Sequence, residues 1–182
     1  MRLRIGFACL AAVLASPLLS DEKPGPYAGD EKREIKALSP EELDAYRTGA
    51  GMGFAKAAEL NHYPGPRHVL DLGNEIGLSA PQRKEAQRIY DAMHGQTVGL
   101  GERLVVSERD LDGLFAAARI DEASLARSVR EIARLQGEIR LEHLKAHLAM
   151  KALLAPALVA KYDALRGYGS GSVEHDPSRH GH

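Results

Sequence analysis

The chain contains no tryptophan, a single cysteine and only 5% aromatic residues over its 182 positions. So few rings leave no stacking platform for sugars or nucleobases. The one cysteine, Cys9, sits within an apolar run from Ile5 to Leu19 that follows the basic pair Arg2 and Arg4. A basic start and a short apolar stretch read as a secretory signal, with cleavage candidates at Val13-x-Ala15 or by Ser20. An uncleaved inner-membrane anchor is the alternative, but the run is short for a span. Residues 1–20 are therefore read as a signal peptide, which places the mature protein in the periplasm. Cleavage removes the only thiol, and with it any disulfide, thiolate nucleophile or soft thiolate metal site.

An excess of one charge is lacking too. The 24 Lys and Arg residues face 25 Asp and Glu, and loss of Arg2 and Arg4 brings the net charge to about −3. No basic face stands out, so nucleic acid is not an expected partner. No apolar run remains after the signal, so no membrane span is expected in the mature chain. Gly-x-Ser-x-Gly, phosphate-loop and His-Glu-x-x-His patterns are all missing, and the chain is read as non-enzymatic.

What is present is helical. Residues 21–36 are polar and proline-containing and read as a flexible spacer, ahead of one helical domain over residues 37–168. Ser39-Pro40-Glu41-Glu42 is a helix start with a capping box, and Gly49, Gly51 and Gly53 cut that helix short. Phe54 to Leu60 resumes a helix that Asn61 caps. Tyr63-Pro64-Gly65-Pro66 turns the chain, and Arg67 to Ile76 forms another short helix that Gly77 ends.

Ser79 and Gln82 make a second capping box, and no strong stop follows until about Ala118. Ile89, Met93, Gln96, Leu100, Leu104, Ser107, Leu111 and Leu114 recur at helical spacing. Arg119 to Asp121 turns the chain. A second seam then reads Leu125, Val129, Ile132, Leu135, Ile139, His143, Ala146, Met150 and Leu153. Folding at the turn sets Leu114 against Leu125, Leu104 against Leu135, Leu100 against Ile139 and Met93 against Ala146. Two seams in register predict a long antiparallel helical hairpin, and hence an all-α fold with short flanking helices. The same register sets Gly137 opposite Gly101, a place for close backbone approach. Leu141, Leu144 and Leu148 form a separate stripe, to be covered either by the short N-terminal helices or by a second copy in a homodimer. A final short helix, Ala157 to Arg166, packs Leu158, Tyr162 and Leu165. Residues 169–182 are a Gly/Ser-rich tail with no packed structure expected.

Leu78-Ser79-Ala80-Pro81-Gln82 before the hairpin, and the degraded Leu154-Ala155-Pro156 after it, resemble the Leu-Thr-x-x-Gln signature of the Spy/CpxP periplasmic stress proteins. These include the related heavy-metal sensor and resistance proteins. Leu78, Ser79, Gln82, Leu154 and Pro156 carry the resemblance, which spans residues 68–168 and includes the closing Tyr162-Asp163-Ala164-Leu165. It implies an all-α, often dimeric envelope protein. Some relatives hold unfolded clients on a concave helical face. Others bind transition metals and modulate a membrane-bound regulator.

Metal chemistry has candidate residues. His143 and His147 are spaced i, i+4, which can present two imidazoles to one ion. The register brings His94 between them and Gln96 opposite His143, so a seam histidine bonded to Gln96 is the other reading. The resemblance adds Met150 as a soft fourth ligand. His68 stands in the first short helix, with Leu72 where a second ligand would be needed. The tail holds His175, His180 and His182, read either as a weak scavenger of zinc, nickel, cobalt or copper or as inert. Arg127, Arg130, Arg134, Arg140, Lys145 and Lys151 line the second long helix. Glu131, Glu138 and Glu142 interleave with them, as on a solvated face.

Overall fold

The structure, a computed structural model, describes residues 24–168, and these are all-helical. The signal assignment and the tail histidines His175, His180 and His182 lie outside the described residues. Four short helices come first: α1 (Pro40–Arg47), α2 (Lys56–Glu59), α3 (Pro66–Asp71) and α4 (Gly73–Ile76). Two long helices follow, α5 (Ala80–Ala116) and α6 (Glu122–Leu153), and then α7 (Pro156–Arg166). No helix among the described residues is long and apolar enough to cross a membrane.

The starts of the longer helices are written locally. The Ser39 hydroxyl accepts from the Glu42 N–H at 3.1 Å, while the Glu42 carboxylate accepts from the Ser39 N–H at 2.9 Å. Ser79 and Gln82 repeat the exchange at 3.3 and 3.1 Å, and Asp121 and Ser124 do so at 2.7 and 3.0 Å. Each box satisfies two N–H groups that a helix start leaves orphaned. The degraded second motif shows the contrast: Ala155 gives α7 no side-chain cap, and the helix begins on Pro156 alone. Gly77 closes α4 at φ 84°, a left-handed geometry that favours glycine.

At 37 residues α5 is about 55 Å long, and α6 packs along it. Ala86, Ile89 and Met93 of α5 share one buried cluster with Ala146 and Met150 of α6. Leu104 and Val105 share another with Leu135 and Ile139.

The seam on α5 is wider than the periodicity predicts. Thr97, Gly101, Val105 and Glu108 are buried as well, because α1 and α3 cover a second face of the helix. Gln96 is exposed. Towards the turn, beyond this N-terminal layer, the seams lose cover: Leu125 and Val129 are 38% and 49% exposed.

Four further expectations need correction. The spacer joins the fold at its end: Ile35 is 1% exposed within the Leu104–Leu135 cluster. Glu34 accepts from Arg109 at 2.7 Å and Lys36 donates to Asp112 at 2.9 Å, so these residues dock on α5. Gly101 does not approach Gly137. A Cβ on Gly101 would lie 2.0 Å from the Tyr46 carbonyl oxygen of α1, whereas one on Gly137 would meet nothing within 4 Å. Leu165 is 51% exposed, and Val159 packs in its place. The short N-terminal helices leave the α6 stripe uncovered, with Leu141 at 49% and Leu148 at 59%.

The glycines give a direct test. Alanine at Gly99 or Gly137, both in open space, should stabilise the protein by about 0.5–1 kcal/mol through helix propensity. Alanine at Gly101 should destabilise it, because overpacking against a backbone carbonyl costs about 1–3 kcal/mol and exceeds that gain. Urea midpoints of the three variants would rank them. A stabilised Gly101→Ala would contradict the packing of α1 on α5.

Candidate functional site

The two histidines of α6 are buried, His143 at 4% and His147 at 8% exposure. They line a cavity of about 540 Å³ together with His94 of α5 and His68 of α3. Thr48, Gly49, Ala50 and Gly51 wall one side, and Gly65, Pro66 and Arg67 another. His94, His143 and His147 thus line one cavity, together with His68.

Each ring has defined partners. His147 donates its Nδ1–H to the Tyr63 carbonyl at 2.7 Å, so in the neutral ring Nε2 keeps its lone pair. His143 stacks on Phe54 with ring centroids 6.0 Å apart. Its Nε2 is buried without a partner. His94 donates Nε2–H to the Thr48 carbonyl at 3.1 Å and stacks on Tyr90. Both rings of the i, i+4 pair thus have Nε2 without a protein partner, and His147 has its Nδ1 anchored on a main-chain carbonyl. Carbonyls behind metal-binding histidines commonly fix the ring in this way.

The donor set is incomplete. Among the described residues no group of three His, Cys, Asp or Glu side chains is close enough to hold an ion. His94 spends Nε2 on Thr48, and the nearest carboxylate to His147, Glu59, lies 3.7 Å from Nδ1 rather than Nε2. Met150 is not a ligand here: it is fully buried in the apolar cluster with Val69, Ile76 and Tyr162. Gln96 does not bond His143: it is exposed in a surface groove between α5 and α6, beside Glu142 and Lys145.

Burial is the first cause holding His143 below the ordinary histidine value of 6.5; the neighbouring His147 adds to it, and the polar Ala50 backbone opposes it. Burial also lowers His68, with Arg166 acting the same way. For a lowered native value the unfolded chain binds the proton first. The stability tied to neutral His143 is complete above pH 6.5 and is lost as pH falls from 6.5 through the native value. A urea midpoint that drops more steeply for wild type than for His143→Gln between pH 7 and about pH 5 is the expected result. Parallel curves would remove His143 as a cause.

A junction that sequence reasoning missed lies under the cavity. Glu59 accepts from the Tyr162 hydroxyl and, at 3.1 Å, from the Gly65 N–H, with Arg166 Nε 3.6 Å away. Burial, then Glu59, pushes the Tyr162 phenol far up, so it stays protonated and donates. His62 bonds Asp163 at 2.9 Å, and Lys151 donates to the His62 carbonyl at 2.8 Å. No local signal marks this junction, since Glu59 and Tyr162 are 103 residues apart.

The motif residues do structural work only: Leu78 packs on the Val69 cluster, Leu154 is buried in it, and Ser79 and Gln82 cap α5. The basic residues of α6 are interleaved as expected. Arg134 pairs with Glu131 at 2.6 Å and with Glu138, and Lys145 pairs with Glu142 at 2.7 Å. Comparison with protein-family models, curated protein sequences and solved structures finds no match to this chain.

Proposed function

We propose that the protein is a non-enzymatic envelope protein that takes up a divalent transition metal through Nε2 of His143 and His147. This is the heavy-metal sensor or resistance type within the Spy/CpxP-like group that its long helical hairpin and Leu78–Gln82 motif resemble. The observation that carries the reading is the pair of Nε2 atoms without protein partners on two rings that line one cavity, that of His147 oriented by the Nδ1 bond to the Tyr63 carbonyl. Imidazole donors suit nickel, copper, zinc and cobalt. When bound, the ion would supply a charge that only neutral rings can accept, and the buried, neutral His143 meets that need. His68 and His94 line the same cavity and are the side chains in position to add donors.

The test is a nickel titration of the mature protein carrying Ala at His175, His180 and His182, so that the tail contributes nothing. One ion per chain is expected, lost when His143 and His147 are also replaced by Ala. A flat isotherm for the tail-substituted protein would sink the reading.

A second reading rests on the uncovered apolar residues. Leu141 and Leu148 on α6, with Leu125 and Val129 nearer the turn, offer a surface for an unfolded client, a regulator or a second copy. Light scattering of an aggregating model protein tests the first of these. Lack of protection at stoichiometric excess would remove it. Sedimentation of wild type against Leu141→Glu plus Leu148→Glu tests the homodimer.

A further inference from the structure

Between Gly29 and the Ser39 cap, the chain buries only two side chains, Ile35 and Leu38. They plug a groove between α5 and α6 whose floor is Leu104, Val105, Leu135 and Ile139. Away from these plugs the segment is held by ion pairs at the surface. Glu34 bonds Arg109 at 2.7 Å and Lys36 bonds Asp112 at 2.9 Å. No backbone hydrogen bond among the described residues joins residues 33–38 to either long helix. Surface ion pairs hold weakly, so this segment can open locally while the helices beneath it stay formed.

Under the segment lies a carboxylate with no counter-charge. Gly101, Leu104, Val105, Glu108 and Asp112 recur three and four residues apart and so share one face of α5. The Tyr46 backbone covers that face at Gly101, and Lys36 covers it at Asp112. Glu108, between them, is 9% exposed, and its side chain has no hydrogen-bond or ionic partner among the described residues. The charges around it are engaged elsewhere or share its sign. In the segment, Lys36 is taken by Asp112, and Glu34 by Arg109 and Arg47. From α1 come Tyr46 and, near it, Glu42. From α6 come the apolar Leu135 and Ile139, while Glu131, which the register sets opposite Glu108, is paired with Arg134.

We propose that residues 33–38 are a strap over the α5–α6 groove whose closure is strengthened by protonation of Glu108. Closure takes water from the carboxyl, and an unpaired charge loses more by this than a neutral acid does. Burial accordingly holds Glu108 above its ordinary value of 4.5. An acid raised in the closed state binds its proton more tightly there than in the open one. Closure therefore gains as pH falls through the closed-state value towards 4.5, and loses that gain as pH rises. Glu34, held below its own ordinary value by the Arg109 bond, keeps its charge across this window. The strap thus makes pH set how much apolar surface the hairpin presents, shut in acid and more open at neutral pH. His143 and His147 take no part in it, so the inference stands apart from the metal reading.

The experiment is residue-resolved amide exchange on the mature chain, read as protection factors at about pH 7.5 and about pH 5.5. The Leu38 N–H, bonded to the Ile35 carbonyl at 3.1 Å, reports the strap. Glu108→Gln keeps the shape and removes the charge. At the higher pH it should raise Leu38 protection by at least about threefold, with a smaller change in α1. At the lower pH the gap between wild type and variant should close. Both chains carry the same histidines, so histidine titration cancels in the comparison. Arg109→Gln should lower Leu38 protection at both pH values and leave the pH effect in place. If Glu108→Gln fails to fold, Glu108→Leu removes the same charge and is read in the same way. A gap that is absent, or that is equal at both pH values, would overturn the link to Glu108. Equal gains in α1 and at Leu38 would overturn the strap, because the whole N-terminal layer would then open as one.

Discussion

Gly65→Val should abolish cation binding at the cavity without unfolding the protein. Gly65 has φ −81° and ψ 142°, ordinary extended backbone, and it precedes Pro66, a position that favours such backbone for any residue. Valine therefore meets no conformational penalty. What it meets is the His147 ring: a Cβ at this position lies 3.1 Å from Nε2 and 3.0 Å from Cε1. The branched methyls would stand over the lone pair on which the proposed function depends. Nickel affinity should fall by at least about a hundredfold, as far as in the variant lacking both His143 and His147. The thermal midpoint should move by only a few degrees, because no buried apolar group is removed. Unchanged nickel binding in Gly65→Val would show that Nε2 of His147 is not a ligand, even if His143 is.

Leu135→Ala should produce the largest loss of stability among single apolar substitutions. Leu135 is fully buried where four parts of the chain meet: Ile35 and Leu38 from the N-terminal segment, Tyr46 from α1, Leu104 and Val105 from α5, and Ile139 on its own helix. Removing a fully buried leucine costs about 2–5 kcal/mol, the spread reflecting how far the neighbours collapse into the space. For a domain of this size that corresponds to a thermal midpoint lower by roughly 5–15 °C. Leu148→Ala is the control on the same helix: at 59% exposure it should change stability by less than about 0.5 kcal/mol. Circular dichroism melts of both decide the matter, and equal shifts would place the core elsewhere. Ile35→Ala extends the test to the segment that its polar composition disguises as a spacer. A large loss there would establish that this segment is part of the folded unit.

The residues that sequence reasoning placed well are those whose interactions are local. Ser39 with Glu42, Ser79 with Gln82, and Asp121 at the α6 start each act over three residues, so a capping box is readable wherever it stands. The long helices follow from apolar spacing, and residues read on facing seams share buried clusters, Leu104 with Leu135 in one and Met93 with Ala146 in the other. The i, i+4 placement of His143 and His147 on one helix face is local in the same sense.

What the helices bury on their second faces depends on elements far away in the chain, and there the sequence is silent. Thr97 and Glu108 look like surface positions until α1 and α3 cover this face of α5. Burial lifts the Glu108 carboxyl above its usual range, a strain that no periodicity announces. Met150 is a ligand candidate only through the family resemblance, and its side chain packs with Val69, Ile76 and Tyr162 from three other helices. The bare Nε2 atoms are of this kind as well. Local spacing puts two imidazoles on one face of α6, but only the docked Tyr63 carbonyl decides which nitrogen of the His147 ring holds the proton. The sequence by itself thus determined where the two long helices begin, about how long they run and that they pair, while Arg67 to Ile76, read as one helix, is split into α3 and α4. The tertiary structure decided which faces are covered and which histidine atoms are left free, because burial and tautomer are set by groups brought together across the whole fold.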